Sequence, residues 1–333
     1  MKKLRWGILG CAQIAVNQVI PAIQQSELGE VVAIASRDES KAKQTAEALN
    51  IPYAYSSYEA LLSDSSIDAV YIPLPNHMHL EWTIRAARAN KHILCEKPLC
   101  LNEHEAVQMV EACEMNNVKL AEAFMYRYHP RYDRIKEIIR SGEIGELCGL
   151  QGTFTINTAS SKDNVRFKAD MGGGSLYDVG CYLISGARHL LEKEPQAATV
   201  RALFSPQHDN VDMMASGLLE FEGGLNMTFQ SGMWAEFRNA LEIIGTDGRI
   251  EIPSAFLPWP GLTPNYYVTV KGQRREEIAE ELNTYRLQVD QFALSIIQDG
   301  PLPFNPWDSV SNMRVLDACM QSAMEKTRVV LTE

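Results

Sequence analysis

Lys97, Asp178 and Tyr182 stand in contexts from which a side chain could move protons on a small molecule. Lys97 lies in Glu96-Lys97-Pro98, directly after a short apolar run. An ammonium can hydrogen-bond an oxygen and polarise it; beside Glu96 it can equally be one half of a surface ion pair. Pro98 restricts Lys97 to extended backbone, which limits where the amine points. Asp178 and Tyr182 are four residues apart, so on a helix they share one face, a turn apart. A phenol can donate a proton to an alkoxide when a nearby cation lowers its pKa. Asp178 could orient hydroxyl groups or hold Lys97, while a lone tyrosine on an amphipathic helix is otherwise a core aromatic. The run Gly172-Gly173-Gly174 before them lets backbone approach a ligand or a neighbouring segment closely.

A second set of residues suits phosphates. After the apolar run Leu4–Leu9 comes Gly10-Cys11-Ala12-Gln13-Ile14-Ala15, a G-x-G-x-x-G pattern with alanine at the second and third small positions. Gly10 permits the tight turn, Ala12 lets backbone approach a pyrophosphate, and the third small residue lets the helix sit close to the strand. The helix N-terminus then offers N–H groups and a positive dipole end to an anion, with Gln13 and Ile14 beside it. Pro21 falls inside that helix, which should kink or start afresh there. At the end of the second strand stands Ala35-Ser36-Arg37-Asp38, with Ser36 where NAD-specific sites place an acid. Arg37 and Lys41 beside a hydroxyl suit a 2′-phosphate, which arginine binds with forked hydrogen bonds. Asp38 argues the other way, since it could serve a ribose. Together these residues favour NADP over NAD.

The elements that must position these residues are legible as two patterns. Residues 4–9, 31–36, 69–74, 92–96 and 119–124 are short apolar runs of the kind buried in a parallel sheet. Between them, 40–49, 79–89 and 103–115 have helical spacing or composition. Strand–helix–strand repetition implies right-handed crossovers and a doubly wound Rossmann sheet over 1–124. Beyond it, 145–156, 197–204, 213–221, 225–230, 240–244, 249–252 and 266–270 read as strands. Gly223-Gly224 and Asp247-Gly248 separate neighbours as hairpin turns do. The expected second domain, 125–333, is therefore α+β with a large, mostly antiparallel open sheet. One helix, about 175–191, interrupts it, and 280–297 and 308–325 close the chain as helices, the last packing back on the first domain.

Two further stretches bring these parts together. Pro73-Leu74-Pro75-Asn76-His77-Met78-His79 follows one central strand and Glu96-Lys97-Pro98 the next, both at carboxyl ends, where open α/β sheets bind ligands. With Glu122-Ala123-Phe124-Met125-Tyr126-Arg127 and the segment from Gly172 to Tyr182, the chain resembles the Gfo/Idh/MocA oxidoreductases. The tyrosine at 182, where many inositol dehydrogenase-like members carry histidine, is similar to the branch of glucose–fructose oxidoreductase, dimeric dihydrodiol dehydrogenase and NADP-dependent xylose dehydrogenase. The resemblance implies Lys97 as the catalytic lysine, Tyr182 as acid/base and Asp178 as their companion. It implies hydride transfer between NADP and a sugar, polyol or vicinal diol. Pro73, Leu74, Asn76, His79, Glu96, Lys97 and Arg127 join Gly10, Ala12, Gln13, Ile14, Ser36, Arg37 and Lys41 as expected cofactor contacts. Asn157 and Arg166 join Lys97, Asp178 and Tyr182 toward the substrate, with His129 a further candidate. Loops 157–171 and 253–265 would shape the pocket.

Composition narrows the alternatives. Among 333 residues the net charge is −11, which with no Lys/Arg block opposes nucleic-acid binding. No stretch of eighteen apolar residues suggests a membrane span. Seven scattered cysteines without a C-x-x-C pair fit free thiols in a reducing cytoplasm. His77-x-His79 and Cys95-x4-Cys100 are sparse material for zinc, so no metal is expected. Rival readings are an NADP-binding sensor without turnover and a reductase of a cyclic carbonyl or imine. Analogy with relatives suggests a homodimer or homotetramer.

Overall fold

The computed structural model describes residues 3–160, 164–257 and 261–331. The expected pocket loops include 161–163 and 258–260, which lie outside the described residues. The chain divides into two compact units: residues up to Met125 with Asn283–Val310, and Tyr126–Leu282 with residues from Ser311 onward.

Among its described residues the first unit holds β1 (Leu4–Leu9), β2 (Gly29–Ala35), β3 (Tyr53–Tyr55), β4 (Ala69–Ile72), β5 (His92–Cys95) and β6 (Leu120–Glu122). They form one parallel sheet in the order β3-β2-β1-β4-β5-β6. The order reverses between β1 and β4, which places a crevice at the carboxyl ends of those strands. Every residue of β4 is buried, as its unbroken apolar run requires of a strand covered on both faces. The helix after β1 takes a π turn over Ala15–Val19 and restarts as α at Ile20, with Pro21 in its first turn. Pro21 has no N–H to donate, so the change of ladder falls where the sequence requires it.

The last helix, Pro306–Glu325, crosses from one unit's residues to the other's at Val310, and most of it belongs to the second. The helix Thr284–Ile297 lies wholly in the first unit, and its Phe292 packs on Trp6 of β1 with ring centroids 5.4 Å apart. Asn283 caps it, accepting from the Tyr285 and Arg286 N–H groups.

In the second unit β7 (Leu147–Asn157), β8 (Ala197–Ser205), β9 (Val211–Glu220), β10 (Asn226–Gly232), β11 (Trp234–Gly245), β12 (Gly248–Ile252), β13 (Tyr266–Val270), β14 (Gln273–Glu277) and β15 (Arg328–Val330) form one sheet. Its order is β14-β13-β12-β11-β7-β10-β9-β8-β15. The pairs are antiparallel except β7 with β10, which run parallel. Gly223 and Gly224, both with positive φ, turn β9 into β10. The helix from Leu176 to Leu191 opens with a π turn through Gly180 and is buried along nearly its whole length against β7 and β10.

Candidate active site

In the first unit the turn after β1 is built as its sequence suggests. Gly10 takes φ +118°, and a Cβ there would stand 3.2 Å from Leu74 Cδ2, so the phosphate turn and the loop after β4 meet without room for a side chain. Ala12 is half-buried and Gln13 exposed at the mouth of the helix, with Ile14 half-buried behind them. At the end of β2, Ser36 is buried and its Oγ accepts from the Asp38 N–H at 3.1 Å. Asp38 caps the next helix, Glu39–Ala48, accepting from the Lys41 N–H at 3.1 Å. Its carboxylate is thus engaged as a helix cap, while Arg37 and Lys41 are exposed on the same turn. A glycine cradle, a helix N-terminus, one hydroxyl and two exposed cations make a donor set that fits a dinucleotide carrying a 2′-phosphate.

The loops after β4 and β5 are tied together by a residue given a different role from sequence. His79 is fully buried; Nε2 lies 2.7 Å from Leu74 O, and Nδ1 lies 3.1 and 3.2 Å from Pro98 O and Leu99 O. Burial lowers its pKa, against three carbonyl oxygens that favour the protonated ring. With both ring nitrogens facing backbone, His79 clamps the two loops that carry the expected cofactor contacts. Pro73 and Leu74 are buried above it, and Asn76 is half-buried at the start of a short 3₁₀ turn.

Lys97 is half-buried, and its peptide bond to Pro98 is cis. The Glu96 carboxylate accepts from the Tyr71 hydroxyl at 2.5 Å and from the Lys97 N–H at 3.3 Å. Burial and the adjacent Glu96 charge push the Tyr71 phenol well above its ordinary pKa, so it stays a donor. Glu122, at the end of β6, accepts from the Leu99 N–H at 2.9 Å. Tyr71 was not singled out from sequence, and Glu122 was noted as part of the Glu122–Arg127 stretch without a role. Their signal was a polar group inside an otherwise apolar run, 69–74 for Tyr71 and 119–124 for Glu122.

In the second unit Asp178 and Arg166 come together, Arg166 Nε donating to Asp178 Oδ1 at 2.9 Å. Tyr182 is buried in an aromatic cluster, with ring centroids 5.4 Å from Phe154, 5.5 Å from Phe256 and 6.0 Å from Tyr126. Arg127 is buried, with Nε donating to Ser185 Oγ at 3.0 Å, and the Tyr126 hydroxyl lies 2.6 Å from the same oxygen. Asn157 ends β7, exposed and opposite Trp234. His129 is buried; Nδ1 accepts from the Arg131 N–H at 3.1 Å, so Nε2 carries the proton and donates to Glu280 O at 3.0 Å. Burial, helped by Arg131, pushes its pKa down to about 4. Both nitrogens serve backbone. Among the described residues no group of three or more His, Cys, Asp or Glu is placed to hold a metal ion. No helix among them is long and apolar enough to cross a membrane.

Residues 4–124 match the oxidoreductase family with an NAD-binding Rossmann fold, and residues 132–251 match the GFO/IDH/MocA C-terminal domain. The chain belongs to the Gfo/Idh/MocA family. Among relatives it is 40% identical to a D-xylose 1-dehydrogenase (NADP(+)) of Haloferax volcanii, over 96% of this chain and 97% of that protein. Among solved structures it is similar to a 3-ketoreductase from Actinomadura kijaniata in complex with NADP and TDP-benzene. That match has a TM-score of 0.89 and 29% identity, covering 96% of this chain and 98% of that one. An aldose-aldose oxidoreductase from Caulobacter crescentus, complexed with glycerol, matches with a TM-score of 0.91 and 25% identity over 99% of this Gfo/Idh/MocA chain and 100% of its own.

Proposed function

We propose that this oxidoreductase reversibly oxidises a hydroxyl-bearing carbon of a sugar, polyol or vicinal diol with NADP as redox partner. The observation that carries the reading is local: Asp38 is engaged as a helix cap and leaves Ser36, Arg37 and Lys41 as the groups offered at the end of β2. The near full-length likeness to an NADP-linked xylose dehydrogenase supports it. When bound, NADP supplies the hydride acceptor or donor at C4 of its nicotinamide.

The chain's own residues do the rest. The Gly10–Ile14 turn holds the pyrophosphate, and Arg37 and Lys41 hold the 2′-phosphate around the Ser36 hydroxyl. Pro73, Leu74, Asn76 and Glu96 shape the wall beside Lys97. Lys97 Nζ hydrogen-bonds the reacting oxygen and polarises it. Tyr182 Oη gives a proton to the alkoxide in reduction and takes one from the hydroxyl in oxidation. Asp178, held by Arg166, orients neighbouring substrate hydroxyls, and Asn157 adds a polar contact. Self-association as a homodimer or homotetramer belongs to the same reading, supported by Leu203, Trp234 and Ile244, which are large apolar side chains exposed on sheet strands.

A second reading, reduction of a nucleotide-linked keto sugar, is favoured by the likeness to the 3-ketoreductase. Isotope transfer separates the two. An aldose deuterated at its anomeric carbon should hand deuterium to the reduced cofactor. An absence of label transfer from every aldose, polyol and diol tried, with turnover on a nucleotide-linked ketone, would favour the second reading.

A further inference from the structure

We infer that Asp212 is a positioning residue for the helix that carries Asp178 and Tyr182; the inference rests on the roles proposed for those two residues. Asp212 lies in β9 and is only 1% exposed. Its Oδ2 accepts from Ser175 Oγ at 2.7 Å and from the Leu176 N–H at 2.8 Å, the first residue of the π turn. Ser175 Oγ is also 3.0 Å from Ser231 Oγ of β10, so the turn is fastened to two neighbouring strands. The other oxygen, Oδ1, is buried with no hydrogen-bond partner and faces Gly174.

Gly174 shows why this fit is specific. It adopts φ +117°, and any Cβ there would collide with Asp212 Oδ1. The glycine run therefore admits a carboxylate from an adjacent strand, answering which segment approaches it so closely. From this turn the geometry passes directly to the functional pair. The Asp178 N–H donates to Gly174 O at 3.0 Å, and the Gly174 N–H donates to Arg166 O at 3.0 Å. One buried carboxylate thus fixes the backbone from which both Arg166 and Asp178 project. Tyr182 follows one turn later on the same helix. A negative group at a helix start also complements the free N–H groups there. Asp212 touches neither reacting group; it sets their position.

The test is steady-state kinetics on the full-length protein with NADP and the best aldose of a panel, comparing Asp212→Ala, Asp212→Asn and Ser175→Ala. Asp212→Ala should lower kcat at least tenfold while the Kd for NADP, read by titration, stays within twofold. Asp212→Asn keeps an oxygen for Ser175 and Leu176 and should restore most of the loss. Should Asp212→Ala not fold, Ser175→Ala, which removes one donor only, should lower kcat about threefold with unchanged NADP affinity. Wild-type kcat in either Asp212→Ala or Ser175→Ala would overturn the inference. So would loss of kcat and NADP affinity in equal proportion, the mark of general destabilisation. Tyr182→Phe and Asp178→Asn run in parallel: wild-type turnover in both would overturn the reading beneath the inference rather than the role of Asp212 in shaping the helix.

Discussion

Arg166 Nε meets Asp178 Oδ1 at 2.9 Å, with the arginine side chain 45% exposed and the carboxylate 11% exposed. A pair open on the cation's side contributes little to stability, because solvent screens it. In the proposed mechanism its value lies in aiming the carboxylate. Arg166→Ala should therefore leave the thermal midpoint nearly unchanged, raise the KM for substrate roughly fivefold to tenfold, and lower kcat less. Arg166→Lys, without the planar fork, should recover only part of this. Kinetics beside a thermal melt check the split. A drop in thermal midpoint with unaltered KM would assign the pair to folding.

The end of β2 makes a sharper claim. Charge-assisted hydrogen bonds contribute about 1.5–3 kcal/mol, so Arg37→Ala should weaken NADP on the order of tenfold to a hundredfold. NAD, which lacks the 2′-phosphate, should be affected about twofold or less. Titration of both cofactors into the variant checks this, and equal weakening would show that Arg37 does not read that phosphate.

How much of this was legible beforehand follows from what each residue presents in one dimension. β1 and β4 are unbroken apolar runs in a sheet covered on both faces, so they stand out. Pro21 and the glycine pair at 223–224 act through their own backbone chemistry and were placed correctly. β3, three residues with Tyr53 57% exposed, and β14, whose sequence is Gln-Arg-Arg-Glu-Glu, carry no apolar pattern and owe their strand form to a neighbour's free edge. The backbone bonds of His79 and His129 were not legible, because burial against distant backbone groups leaves no trace in local spacing. Asp212 stood one residue before the strand expected at 213, which hid its place inside β9. From sequence Asp38 could be read as a ribose acceptor. The Lys41 N–H bond shows it as a helix cap.

Asp212 also predicts a pH dependence of stability. Burial raises its carboxyl from the ordinary 3.8 to about 6, despite the Ser175 and Leu176 donors. A raised pKa means that the folded state holds the proton more tightly than the unfolded one. The associated stability is complete below about pH 3.8 and is lost as pH rises through 6. Asp212→Asn cannot ionise, so its stability relative to the natural protein should climb between pH 4 and pH 8, by on the order of 3 kcal/mol at most. Urea unfolding of both proteins across that range checks the sign, and a constant difference would mean that Asp212 titrates normally.

The account's central claim is tested most directly by substrate-dependent reduction of NADP and NAD in parallel across aldoses, polyols and vicinal diols, with Lys97→Met beside the natural protein. The predicted result is turnover with NADP well above that with NAD, and a loss of about 10²–10⁴-fold in Lys97→Met while NADP still binds that variant. Silence of the natural protein with every substrate despite intact NADP binding, or near-normal turnover in Lys97→Met, would contradict it.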